Sequence, residues 1–202
     1  MRNSRIAAAL GAAAIVVAGL VSIPAGAVTA PAPTRPTQIV TSPGVATVLL
    51  TKGVGVETTG AAYTAVLPSL TGANVVIAYP STKLAATRLG HSGSFILVHG
   101  SHVVTLSNLI ITVNPVTKTG TVSALFGYTG GGAAKVTTVF GITHVVLAGV
   151  VAGGHTWTKV TGNVIIPNSL VATALTGALG LSTPLFTAGT QIASATAYVL
   201  VH

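Results

Sequence analysis

The sequence almost lacks acidic side chains: of its 202 residues only Glu57 is acidic, and there is no aspartate. Glycoside hydrolysis uses a pair of carboxylates, calcium loops use several, and the Ser-His-Asp triad uses an aspartate. This chain cannot assemble any of these sites. We therefore expect a protein that is not an enzyme.

Cysteine is also absent, and charged residues make up only 5% of the chain. Without disulfides the fold must rest on burial and strand pairing, which a chain of this length can supply. The formal net charge is +8, yet the lysines and arginines are scattered singly, without a cluster or interleaved aromatic residues. This pattern does not predict nucleic-acid binding. Attraction to anionic cell-wall polymers is left open.

The start of the chain has the pattern of a secretory signal peptide over residues 1–27. Arg2 and Arg5 precede an apolar run, Ile6 to Ile23, and a small-residue exit follows it. Cleavage there would leave Val28 first. An uncleaved membrane anchor is the alternative reading of the same run. Because no later apolar run reaches spanning length, we expect no integral membrane span in the mature chain. The signal-like segment predicts a secreted or cell-surface location.

The mature chain divides into a proline-rich linker, residues 28–43, and a single domain, residues 44–202. Its richness in Val, Thr and Gly, with short apolar runs between Gly and Asn turns, predicts an all-β fold. We expect one antiparallel β-sandwich or flattened barrel. Gly141 is the expected bulge in a long apolar segment, Val136 to Val151. For Val48 to Lys52, a strand and a short helical turn fit equally well.

One short helix is predicted near the C-terminus, from Ser169 to Leu179. Asn168 or Ser169 can cap its start, apolar residues recur at near-helical spacing, and Gly180 is a suitable stop. Gln191 to Val201 is predicted to close the chain as a strand.

The centre of the chain predicts a β-hairpin. Two apolar runs, Phe95 to Val98 and Val103 to Ile111, flank Gly100-Ser101, a favoured two-residue link that would place His99 opposite His102. Both faces of the hairpin are apolar, as expected inside a layered β structure. Two facing histidines could hold a metal weakly, but they do not complete a zinc site, so we predict no metal centre.

Several short motifs carry a resemblance to known proteins. Gly90-His91-Ser92-Gly93, then Val104 to Asn108 and Gly120 to Ala124, resemble the core of the haem-transport-associated (HtaA-type) domain. Ala178-Leu179-Gly180 and Phe186 to Ala195 resemble the closing segments of exported Thr- and Ala-rich β proteins of high-GC Gram-positive bacteria. The first resemblance covers residues 89–125 and the second covers most of the chain from residue 44.

Two alternative functions are considered for this chain, and the resemblance to the haem domain implies one of them. In the HtaA-type domain a tyrosinate binds the haem iron, supported by the histidine of the Gly-His segment. His91 matches that histidine, and Tyr63 and Tyr79 are the tyrosines that precede it. The favoured interpretation is a structural or adhesive envelope module without a cofactor, which contacts cell-wall polymer or other envelope proteins. The alternative is a haem-binding module that uses His91 with Tyr63 or Tyr79.

Overall fold

A computed structural model of the chain describes residues 35–42, 44–69, 72–85 and 87–201. The predicted signal peptide, residues 1–27, and the first part of the predicted linker lie outside the described residues. Both stay predictions.

The described residues form twelve strands and two helices. In chain order these are β1 Thr37–Thr41, α1 Val45–Thr51, β2 Gly55–Thr59, β3 Tyr63–Ser69, β4 Gly72–Tyr79, β5 Ser81–Ala85, β6 Arg88–His91, β7 Ser94–His99, β8 His102–Asn114, β9 Thr119–Tyr128, β10 Lys135–Ala152, β11 His155–Ile165, α2 Ser169–Ala178 and β12 Gln191–Val201.

All these strands belong to one antiparallel sheet, in the order β2-β7-β8-β9-β10-β11-β12-β1-β4-β3. Strand β6 pairs with β8 and with β5, off this path. The two ends of the path approach each other, since the hydroxyls of Thr58 on β2 and Thr64 on β3 lie 3.4 Å apart. The sheet is therefore nearly closed into a flattened barrel, which confirms the predicted fold class.

The core fills the inside of this barrel, and strand β8 shows how the sequence directs side chains into it. Val104 and Leu106 are buried, and after them Leu109 and Ile111 are buried instead of the next residues in the same alternation. The change of phase comes from Asn108, which has a left-handed φ of 52° at an irregularity in the pairing with β9. The extra residue at this bulge shifts the alternation by one position. Odd-numbered side chains therefore point into the core after the bulge, whereas even-numbered side chains do so before it.

The predicted hairpin and C-terminal helix are confirmed. His99 pairs with His102 across the turn that Gly100 begins, and Gly100 has a φ of 57°. Helix α2 starts where the Asn168 side chain accepts a hydrogen bond of 3.0 Å from the Val171 amide. After the helix ends, Gly180 has a φ of 64°.

Helix α1 resolves the segment that the sequence left open. Residues Val45, Ala46 and Leu49 of α1 are buried, because the helix lies against the barrel beside β4. The structure thus has a second short helix besides the predicted one. Among the described residues, neither helix has the length and apolar character needed to span a membrane.

The predicted boundary between linker and domain is wrong for β1. Residues Thr37–Thr41 lie between β12 and β4 and pair with both, although they belong to the segment expected to be linker. Arg35 is also fixed on the domain, with its guanidinium 5.0 Å from the centre of the Tyr198 ring. Strand β1 is what connects β3 and β4 to the rest of the sheet, so the domain begins before Gly44.

The bulge in the long strand β10 is also not where the sequence suggested. Gly141 pairs regularly with both neighbouring strands, through Thr121 and Ile165. The irregularities fall beside Phe140 and next to His144, which has a φ of 54°. Packing explains the glycine at position 141 instead, because a Cβ atom there would lie 3.1 Å from the Ile165 side chain.

Candidate functional site

His91 stands at a junction in the sheet. Strands β6 and β7 pair one after the other with the same edge of β8, β6 as far as Gly90 opposite Ile110 and β7 from Ser94 opposite Ser107. His91 is the last residue of β6 and reaches into the gap between these two pairings. The β8 bulge occupies the same gap, so backbone groups there lack the usual strand partner.

Both ring nitrogens of His91 have hydrogen-bond partners. Nδ1 lies 3.3 Å from the Leu109 carbonyl oxygen and Nε2 lies 2.8 Å from the Thr37 hydroxyl. A carbonyl only accepts, so Nδ1 carries the proton and donates, and in the neutral ring Nε2 accepts from the hydroxyl. Burial lowers the pKa of His91, while the bond to the Leu109 carbonyl acts in the opposite direction. The neutral ring thus satisfies two buried groups.

Of the two candidate tyrosines, the structure brings only Tyr79 to His91. Their ring centres are 6.1 Å apart in an edge-on arrangement, and Tyr79 is 1% exposed. Burial raises the pKa of the Tyr79 hydroxyl well above its ordinary value, which disfavours a tyrosinate. Tyr63 is 52% exposed and pairs with Ala78, the neighbour of Tyr79 on β4. Because successive side chains on a strand alternate, Tyr63 and Tyr79 lie on opposite faces of the sheet.

The glycine that ends the Gly-His-Ser-Gly segment is required by the fold. Gly93 has a φ of 97°, and a Cβ atom there would lie 2.7 Å from the Ala62 amide nitrogen and 2.9 Å from the Thr59 carbonyl oxygen. The chain crosses from β6 to β7 against the loop between β2 and β3, and a side chain cannot be accommodated. Backbone geometry therefore explains this part of the motif without a ligand.

The facing histidines of the hairpin hold the end of helix α2. His99 Nδ1 donates a hydrogen bond of 2.8 Å to the Leu179 carbonyl oxygen, one of the carbonyls that a helix end leaves without a partner. The His102 ring lies against Gly180, where a Cβ atom would meet Nε2 at 2.5 Å. Within the described ranges, no three His or Glu side chains come together as a metal site.

An apolar cavity of about 70 Å³ lies between the helices and the strands. Sequence reasoning missed it because its wall combines residues from many distant strands. Its lining comprises Ile39, Thr41, Val45, Leu49, Val56, Val75, Ile77, Tyr79, Phe95, Leu97, Leu109, Val122, Phe140, Val164, Leu175, Phe186, Ile192 and Ala193.

Strand β10 has an open edge over residues Val146–Ala152, which we call the β10 edge. Among the described strands, these residues pair with β11 only, because the pairing of β10 with β9 ends at Ile142. The β10 edge contains neither a charged residue nor proline, and Val146, Leu147 and Val151 are 56%, 40% and 76% exposed. Folded proteins ordinarily protect such edges with lysine, proline or a covering loop. An unprotected apolar edge is a template for another strand.

The comparisons with known proteins found a similarity of fold to a solved structure. No protein-family model and no curated protein matches the chain. The fold is similar to the crystal structure of the C-terminal domain of HtaA from Corynebacterium glutamicum, with a TM-score of 0.49 and 14% sequence identity. The similarity covers 84% of this chain and 99% of that domain, and it amounts to a loose HtaA-type resemblance.

Proposed function

We propose that this chain is an exported, non-enzymatic domain of the cell envelope, and that it binds another envelope protein by strand addition at the β10 edge. The observation that supports this proposal is the combination of free backbone groups and exposed apolar side chains over Val146–Ala152. In strand addition, the backbone hydrogen bonds supply affinity and the side chains on the two faces supply specificity.

The chemistry of the β10 edge favours a protein partner over cell-wall polymer. An anionic polymer would be held by lysines and arginines, and its binding would weaken as salt screens the charges. The β10 edge has none of these residues. Binding by strand addition should therefore persist in high salt, whereas polymer binding should not.

The proposed lack of catalysis is supported by the state of the polar groups. His91 and His99 already use ring nitrogens to satisfy backbone or hydroxyl groups of the fold. Glu57, the one acidic residue of the sequence, is exposed on β2. Hydrolase turnover abolished by a single His or Ser substitution would contradict this part of the proposal.

The experiment compares full-length variants expressed in the producing organism. Val151→Lys puts a charge on the β10 edge; Val136→Lys is the matched control, because Val136 is 74% exposed on the same strand but pairs with β9. We expect Val151→Lys to reduce retention in the salt-washed envelope fraction at least fivefold and the control to leave it unchanged. Equal retention of both variants would overturn the proposed surface.

The same preparation tests export. Mass spectrometry of the envelope-bound protein should show a chain that begins at Val28. A chain that keeps residues 1–27 and remains in the cytoplasm would contradict export without bearing on the β10 edge.

Haem binding is a second candidate, favoured by the contact between Tyr79 and His91. It would require His91 to leave Thr37 or Leu109, because both ring nitrogens are engaged. Haemin titration should give a Soret shift that saturates near one equivalent under this candidate. His91→Ala and Tyr79→Phe should abolish the shift, and Tyr63→Phe should not. A shift that none of these variants changes would indicate adventitious uptake by exposed histidines.

A further inference from the structure

We propose that the apolar cavity binds the end of an unbranched alkyl chain, contributed by a single-chain amphiphile or a lipid of the envelope. This inference concerns the inside of the barrel and does not depend on the proposed role of the β10 edge. It rests on the chemistry of the cavity wall, on the size of the cavity and on the way it reaches the surface.

The wall excludes polar and charged ligands. Thr41 and Tyr79 are the lining residues that carry a hydroxyl, and all the others are hydrocarbon side chains. The Thr41 hydroxyl already accepts a hydrogen bond of 2.9 Å from the Val75 amide. A charged or strongly polar group placed inside would lose its water and gain at most one partner, the Tyr79 hydroxyl. The ligand portion inside the cavity must therefore be hydrocarbon.

The size of the cavity excludes rings and porphyrins. An apolar cavity of roughly 150 Å³ is known to accept benzene, and this cavity is less than half as large, at about 70 Å³. Pockets for drug-sized or cofactor-sized molecules measure about 300 to 1,000 Å³. Since roughly 150 Å³ accommodates the six carbons of benzene, about 70 Å³ accommodates on the order of three carbons. The end of a linear alkyl chain, about three carbons long, fits this requirement.

The cavity is partly open to solvent. Val56, Phe95, Phe186 and Ile192 line it and are half-buried. A chain can therefore enter between these half-buried side chains and leave its polar head in water. This arrangement suits an amphiphile, because only its alkyl end has to be desolvated.

The test uses the purified mature protein with methyl-labelled Ile, Leu and Val, titrated with 1-butanol, 1-hexanol, 1-octanol and 1-decanol. We expect saturable NMR shifts of the Val45, Leu49 and Leu175 methyl groups, with the tightest binding at butanol. An affinity that rises steadily up to decanol, with shifts of exposed methyl groups only, would overturn the proposal by indicating partition onto the surface.

Two variants alter the size of the cavity in opposite directions. Ala193→Leu fills it and should weaken butanol binding at least tenfold. Ala195→Leu is the control, because Ala195 lies on the same strand and is buried but does not line the cavity. Leu175→Ala enlarges the cavity and should shift the optimum to hexanol or octanol, so a filled variant that fails to fold does not remove the test. Unchanged chain-length preference in the enlarged variant would contradict the proposal.

The source of the chain is distinguished with vesicles of phosphatidylglycerol. Shifts of the same methyl groups on adding vesicles would indicate a membrane lipid. Shifts with the alcohols alone would indicate a free single-chain molecule.

Discussion

Thr37 and His91, which are 54 positions apart in the chain, form a hydrogen bond of 2.8 Å inside the domain. Thr37 is 0% exposed and His91 is 7% exposed. The bond joins the first strand of the sheet to the segment that resembles a haem-ligating motif. His91 therefore stabilises the fold, and its protonation should change the stability of the protein in acid.

Acid should destabilise the protein through His91. The unfolded chain binds a proton at His91 near the ordinary pKa of 6.5, whereas burial lowers the pKa in the folded state. Between these two values the unfolded state carries more protons, so protonation favours unfolding. The stability contribution of neutral His91 is present above about pH 6.5 and is lost as the pH falls toward the lowered folded pKa. Urea denaturation at a series of pH values from 7.5 to 5 measures this loss.

The matched variants are His91→Gln and His155→Gln, since His155 is exposed. His91→Gln should lower stability by about 1 to 3 kcal/mol at pH 7.5, because a buried partner loses its hydrogen bond, and should flatten the pH dependence. A His91→Gln protein with the parent's pH dependence would refute this role.

Gly93→Ala should destabilise the protein more than a left-handed backbone alone explains. An L-residue in this conformation costs about 1 to 2 kcal/mol, and the added Cβ would also overlap Ala62 and Thr59. Gly130→Ala is the control, because Gly130 has a φ of 78° with no atom within 4 Å of the added Cβ. Thermal denaturation measures the stability of both variants. Equal losses of stability would show that the close approach of residue 93 to Ala62 and Thr59 does not contribute to the cost.

Gly180 and His102 should be energetically coupled. Gly180→Ala introduces a Cβ where the His102 ring lies, so it should cost more in the parent than in a His102→Ala background. A double-mutant cycle in urea should give a coupling of about 0.5 to 3 kcal/mol. Additive losses would mean that the His102 ring moves away from position 180 at no cost.

Removing the helix cap should weaken α2 measurably. Asn168→Ala loses the bond to the Val171 amide and should cost about 0.5 to 2 kcal/mol. Ser169→Ala at the next, equally exposed position lacks this bond and should cost less. Guanidinium unfolding of the two variants gives the comparison, and identical midpoints would argue against the cap.

The local features of this fold could be predicted from the sequence because neighbouring residues determine them. The turn at Gly100 depends on two short residues between apolar runs, and α2 depends on a cap at Asn168 and a stop at Gly180. Each of these signals lies within a few residues of the element that it sets.

The features that were missed depend on contacts between distant parts of the chain. Strand β1 is five residues long and follows prolines, and only its partners β4 and β12 show that it belongs to the sheet. The residues at the two bulges, Asn108 and His144, have positive φ although neither is glycine. A local sequence signal for a bulge is therefore missing at both positions. The residues that line the cavity come from many elements and do not recur at a helical or strand period in the sequence.

The candidate site was predicted only in part. The match of His91 to a known motif directed attention to a residue that is indeed buried and specifically bonded, and Tyr79 does lie beside it. The sequence could not show that both nitrogens are occupied or that Tyr63 faces away. It also could not show which apolar run would become an unpaired edge, since that depends on where β9 ends.

The most direct measurement of the central claim, binding through the β10 edge, is hydrogen–deuterium exchange of the mature protein with and without isolated envelope from the producing organism. Strand addition predicts that alternate amides within Val146–Ala152 exchange more slowly when envelope is present, while amides at the hairpin turn of Gly100 and Ser101 keep their rates. Unchanged exchange along Val146–Ala152, together with new protection elsewhere on the surface, would contradict the claim.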